Sequence, residues 1–141
     1  MSSCEASASY RVTADPAAVW ALWEDPTRWP EWNNDIADAR AAEPLALGSR
    51  SQIRFRHSPL WITFTTTTWE LGRVFTDEAR IGLLRLSHEH GMTPAGHEIE
   101  VTHVLRLRGR GAALLGPMVV PRLRAAAEAM AVRERRLVLA H

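Results

Sequence analysis

Between residues 97 and 108 apolar and polar side chains alternate cleanly. Ile99, Val101, His103, Leu105 and Leu107 take one phase, and Glu98, Glu100, Thr102 and Arg106 the other. A period of two marks a strand with one face on a core and one toward water. The same test predicts further strands. One covers about 7–13, with Tyr10 and Val12 on one face. A weaker one covers 36–42. A third covers 49–57, with Ile53, Phe55 and His57 opposite Gln52, Arg54 and Arg56. The run 60–71 is the most strand-like, four threonines flanked by Ile62, Phe64 and Trp69. In strict alternation Trp61 and Trp69 share one face of it, while Ile62 and Phe64 share the other; the pattern leaves open which is concave. Two more strands follow at 74–80 and 83–92, and a turn at Thr93-Pro94-Ala95-Gly96 leads into the last.

The period changes to helical in two places. At Ala14 to Asp25, Asp15 suits an N-cap and Pro16 a first helical position. Val19, Trp20, Leu22 and Trp23 then supply an apolar face, and Asp25-Pro26 ends the helix. Thr27 and Arg28 begin a second, very short helix that Pro30 limits. These two helices carry four of the six tryptophans, Trp20, Trp23, Trp29 and Trp32. Each can bury ~150–250 Å², more than so short a segment can hide against itself, so a concave partner must receive them. From Gly111 to about Leu139 the chain reads as one long helix, kinked early by Pro117 and Pro121. Its stripe is Val119, Leu123, Ala126, Ala127, Met130 and Leu137. Consecutive strands without intervening helices pair antiparallel, and a long twisted sheet curls. A helix lying in that curl leaves room for a pocket.

The segment A-D-P-A-A-V-W-A-L-W-E-D, then R-W-P-E-W, then strands and a long C-terminal helix, resembles the START-related polyketide cyclase/dehydrase and lipid-transport family. The resemblance rests on Val19-Trp20, on Pro30-Glu31-Trp32, and more loosely on Glu100-Val101-Thr102-His103 and Gly109 to Gly111. It covers nearly the whole chain. It implies an α+β helix-grip fold: a curved antiparallel sheet of six to seven strands around a long C-terminal helix, with two short helices after the first strand. The whole of 1–141 is expected to form a single domain of this kind. The resemblance also turns Trp69 inward. It says little about ligand or reaction, because one cavity carries many activities in such folds.

Composition narrows the function classes. The formal net charge is +1, so charge indicates neither a nucleic-acid partner nor a polybasic membrane surface. The chain has no lysine, which excludes lysine Schiff-base chemistry. Cys4 is the sole cysteine, so no disulfide framework exists. Stretch 1–9 is polar, without a signal-peptide core, and no run is long enough to span a bilayer. A cytoplasmic setting, without stable membrane insertion and as monomer or homodimer, is expected.

Candidate chemistry gathers in the last hairpin. His88 and His90 share a strand face, and a turn centred near Pro94-Ala95 brings His103 close to His88 on that face. Three converging imidazoles are a zinc pattern in principle. Sheets, however, collect same-face residues by geometry alone, so the reading is no metal and no cofactor. His88 and His103 are the acid/base candidates, since imidazole titrates near neutrality; Arg85 and Tyr10 are further polar candidates. The expected ligand wall is Phe55, His57, Trp69, His88, His90, His103, Val119, Leu123 and Met130. Asp77-Glu78 are read as solvent-facing, and Arg54, Arg56 and Arg85 as solvated charges. Two functions remain: a cavity that binds a small hydrophobic or aromatic, polyketide- or lipid-like molecule, or a cyclase/dehydratase-type enzyme that moves protons with pocket histidines.

Overall fold

The computed structural model describes residues 2–140. Its strands are β1 (Ser3–Val12), β2 (Ile36–Arg40), β3 (Arg50–Phe55), β4 (Trp61–Glu70), β5 (Val74–Ile81), β6 (Leu84–Ala95) and β7 (Glu98–Gly109). All pair antiparallel in one curled sheet of order β1-β7-β6-β5-β4-β3-β2. This is the helix-grip arrangement expected from the sequence. The helices are α1 (Pro16–Glu24), α2 (Trp29–Trp32) and α3 (Gly116–Leu139); a 3₁₀ turn, Pro26–Arg28, joins the first two.

Local chemistry sets the boundaries. The Asp15 carboxylate accepts the Ala17 N–H at 2.9 Å, and Asp25 repeats the device on Thr27 N at 3.0 Å. α1 and the 3₁₀ turn therefore start where an acidic cap precedes a proline, whereas α2 follows from that turn without a side-chain cap. β5–β6 and β6–β7 are joined by two-residue turns whose first residue is a glycine at positive φ, Gly82 at 62° and Gly96 at 68°. The β6–β7 turn is thus Gly96-His97, two residues later than the sequence suggested; β6 runs on to Ala95, and β7 keeps its expected length one residue later. The long C-terminal helix begins at Gly116 rather than Gly111, after a 3₁₀ turn at Ala113–Leu115; Pro117 sits in its first turn and Pro121 inside it.

One irregularity resolves the fourth strand. Thr66 pairs with Asp77, yet Thr68 pairs with Thr76, so β4 carries a bulge at Thr67. The extra residue shifts the phase. Phe64 and Thr66 face inward before it, and Trp69 packs against the core after it. Strict alternation had put Phe64 and Trp69 on opposite faces. Trp61 lies on the outside, with the Arg40 guanidinium 4.0 Å above its ring.

The helices and the inner sheet face enclose the core. α3 lies along β1 and β7, and α2 bridges α3 and β2. Trp23, Trp29 and Trp32 are essentially without solvent contact, so the concave receiver required by the tryptophan-rich segment exists.

Candidate functional site

The β6–β7 register places His90 directly opposite His103, with His88 opposite Leu105 and diagonal to His103. All three imidazoles share the inner face and are buried. His90 stacks on Phe75 at 4.0 Å and on His88 at 3.7 Å between ring centres.

A continuous hydrogen-bond chain runs from this cluster into α3. His88 Nε2 meets His103 Nδ1 at 2.9 Å. His103 Nε2 meets the Glu134 Oε2 at 3.0 Å. The Tyr10 hydroxyl donates to the same oxygen at 2.7 Å, and Trp23 Nε1 donates to Oε1. Glu134 and His103 are both 0 % exposed. A carboxylate only accepts, and here three donors converge on it. The Glu134 carboxylate places a proton on His103 Nε2; with His103 neutral, its Nδ1 accepts from His88 Nε2–H. His90 donates Nδ1–H to the Phe75 carbonyl at 3.3 Å. One ring nitrogen from each histidine lies within 4.8 Å of the other two, so the cluster is sterically able to hold a metal ion.

Burial tunes these groups. It holds His88 well below the usual imidazole range, with His103 adding to the effect. His90 is lowered likewise, by burial first and then by His88 and His103. Burial, followed by the neighbouring Glu134, pushes the Tyr10 hydroxyl up. Asp77 is the outlier. It pairs across the strands with His88 and is 3 % exposed, and its Oδ1 has no hydrogen-bond partner. Burial raises its carboxyl to about 7.

A cavity of about 150 Å³ opens beside the cluster. Ile53, Phe55, Phe64, Leu105, Leu123 and Met130 form its apolar walls, and Trp29 and Trp32 of α2 close one side. Its polar wall is Asp77, His88 and His90, with Asn33 and Asp35 toward α2. A larger depression of about 390 Å³ lies between Arg80, Arg85, Arg108 and Arg110, but it is walled by charge and contains none of the core residues.

Of the residues expected from the sequence, Phe55, His88, His90, Leu123 and Met130 reach this cavity. His103 lies behind His88 and touches the cavity only through it. Trp69 packs on Trp20 and Phe75, away from the lining. Val119 is half-buried and off the wall. His57 is a correction: it leaves β3 in a turn at φ 68° and is exposed. Asp77 is a second correction, since its phase with Phe75 and Ala79 turns it inward rather than to solvent. Glu134 was missed. Its signal was present, because it lies four residues after Met130 and three before Leu137, a charge on the apolar stripe.

Residues 3–138 match the family described as polyketide cyclase / dehydrase and lipid transport. The chain belongs to that family. Among solved structures, the START superfamily protein from Mycobacterium smegmatis is 15% identical at TM-score 0.73, with 96% of this chain and 97% of that one covered. Norcoclaurine synthase from Thalictrum flavum, in complex with dopamine and hydroxybenzaldehyde, is 13% identical at TM-score 0.70, covering 99% and 88%. A hypothetical protein from Helicobacter pylori is 12% identical at TM-score 0.76, covering 95% and 87%. At these identities the likeness is one of fold. Comparison with curated proteins finds no match. No helix among the described residues is long and apolar enough to cross a membrane.

Proposed function

We propose that the chain binds a small, largely apolar molecule of about one aromatic ring, carrying a carbonyl or hydroxyl, in the cavity between α3 and the inner sheet face. The observation that carries this reading is the cavity itself: apolar on most sides, with Asp77, His88 and His90 gathered on one wall. Ligand sites have that make-up, a greasy envelope with a few convergent polar groups. Size narrows the class. A space of about 150 Å³ in a protein core takes a molecule on the scale of benzene, well below the ~300–1,000 Å³ usual for drug-sized ligands. A single ring therefore suits this cavity better than an extended polyketide or a lipid chain. The related norcoclaurine synthase, whose structure holds dopamine and hydroxybenzaldehyde, handles ring compounds on the same fold.

A second reading, a proton-moving enzyme of the cyclase or dehydratase type, has one observation in its favour. The Asp77 oxygen that lacks a partner belongs to a cavity-lining residue. A carboxyl there accepts from a ligand hydroxyl or, when protonated, donates to a carbonyl. His88 and His103, the acid/base pair expected from the sequence, would act in series, since only His88 meets the cavity.

Native mass spectrometry of protein purified from its own host tests the binding reading. An added mass of single-ring size, displaced by phenol or benzaldehyde, is expected. Protein that carries nothing and takes up neither compound would reject it. Turnover of a bound ring compound that is lost in Asp77→Asn would establish the second reading.

A further inference from the structure

The interior holds two carboxyl groups, Asp77 and Glu134, and three imidazoles, with no buried arginine among the described residues. Buried carboxylates without a cation are costly. Three imidazoles on one face do not by themselves supply that charge, because each binds best in its neutral form when desolvated. The set lacks a cation, and it contains a group of nitrogen ligands for one.

We propose that His88, His90 and His103 bind one divalent transition-metal ion of the zinc class, with its fourth coordination position facing the cavity. Spacing and the hydrogen bonds of the outer ring nitrogens together carry this. One ring nitrogen from each histidine is already within 4.8 Å of the others. Tetrahedral zinc with Zn–N of ~2.0–2.1 Å needs nitrogens about 3.3 Å apart. The His88–His103 pair, at 2.9 Å, opens slightly and the third nitrogen closes in. The remaining ring nitrogens are held as metal-bound imidazoles are usually held: His103 Nε2 on the Glu134 carboxylate and His90 Nδ1 on the Phe75 carbonyl. These bonds leave His103 Nδ1 and His90 Nε2 as lone pairs. His88 joins them by shifting its proton from Nε2 to Nδ1, with no change in net charge. Asp77, whose Oδ1 has no partner, is the cross-strand neighbour of His88.

The charge also balances. A 2+ ion on three neutral imidazoles is offset by one carboxylate behind His103 and one across from His88. The donor set excludes calcium and magnesium, which demand oxygen cages. Imidazole suits zinc, cobalt, nickel or copper. Two of the three ligands line the cavity, so the open position points to where a ligand carbonyl or hydroxyl, or a water, would bind. Trp32 covers the cluster from the α2 side, 5.6 Å from the His90 and His103 rings.

The test is titration of untagged, chelator-stripped protein with Zn(II) and, for its visible spectrum, with Co(II). About one equivalent per chain is expected, with a thermal midpoint that rises on zinc addition and a Co(II) spectrum of four-coordinate intensity. His90→Phe and His103→Phe should each abolish binding. Glu134→Gln, which keeps shape and loses only the charged acceptor, should weaken it about 10–100-fold. His57→Ala and His97→Ala, both at exposed sites, should leave it unchanged. Wild-type protein that binds no zinc would overturn the proposal. So would binding that survives in folded His103→Phe or disappears in His57→Ala. Should the histidine variants fail to fold, the wild-type Co(II) spectrum decides, since an octahedral hexa-aquo signature contradicts three nitrogen ligands. Ring-compound binding is measured separately by mass, so a negative metal result leaves the cavity reading standing.

Discussion

The interior has two parts built on opposite principles. Around α1, the aromatic cluster of Trp20, Trp23, Trp69 and Phe75 packs edge to face, with Trp69 tilted on Phe75 and ring centres 5.1–6.0 Å apart. Across β6, β7 and α3, the seam from His88 through His103 to Glu134 is a single file of hydrogen bonds. In the first part each ring has several neighbours, so one lost contact leaves others. In the second, each group is its neighbour's partner, so removing one strands the next in a dry interior. The seam borders the cavity through His88, and it is stable only while every member keeps its partner.

Trp23 belongs to both parts, and replacing it breaks both. Trp23→Ala removes a fully buried indole and the Trp23–Glu134 hydrogen bond. A loss of roughly 3–5 kcal/mol or more in urea unfolding is expected. Trp32→Ala, which lies under the histidines and donates to the Leu22 carbonyl at 2.9 Å, should cost roughly 3–5 kcal/mol as well.

Glu134→Leu attacks the seam alone. It strands His103 Nε2, the Tyr10 hydroxyl and Trp23 Nε1, and should cost roughly 3–5 kcal/mol. The comparison sharpens in the double variant. His103→Phe should cost far less in the Glu134→Leu background than in the wild type, because the pair is coupled. Additive losses in the same urea melts would mean that the seam is ordinary packing.

pH separates the parts next, because only the seam side titrates. In metal-stripped protein Asp77 has a folded value of about 7 against the usual 3.8. The unfolded carboxyl ionises first, so stability falls as pH rises from about 4 through 7. His88 and His90 are lowered instead. The unfolded imidazoles take up protons first, so stability also falls as pH drops below about 6.5. Glu134, Tyr10 and His103 face the same cluster. The two effects oppose each other between about pH 4 and 6.5, so urea melts from pH 4 to 9 should show that Asp77→Asn steepens the rise in stability up to about 6.5 and removes the shallow fall between about 6.5 and 7.

The smallest effect belongs to Trp20, whose buried Nε1 has no partner. Trp20→Phe removes that orphan donor and should change stability by less than about 1 kcal/mol, since the lost area and the relieved polar atom oppose each other.

The fold was legible because its signals are local. Period-two alternation in 97–108, the Asp15-Pro16 start of α1 and the tryptophan load of one segment each need only neighbours in sequence. The bulge at Thr67 was not legible, since four consecutive threonines carry no phase. Neither was the two-residue position of the β6–β7 turn, because Pro94 drew the turn toward itself while Gly96 set it. In the site, the shared face of the three histidines followed from strand parity and survived the shift in turn position, as both registers keep an odd sum. Asp77 and Glu134 were misjudged or missed for one reason: a charged side chain is assigned to water by default. Each sat in the apolar phase of its own element, beside Phe75 and Ala79 or Met130 and Leu137, and that phase was the better guide.

The central claim is that the cavity beside the histidines receives a ring with a polar end. Titration of toluene, phenol and benzaldehyde against the quenching of tryptophan fluorescence tests it directly, because Trp29 and Trp32 line the wall. Phenol or benzaldehyde should saturate about tenfold or more tighter than toluene, the worth of one buried hydrogen bond. Met130→Trp, which fills the space, should abolish the response. Equal affinity for all three compounds, or binding that persists in Met130→Trp, would contradict the account.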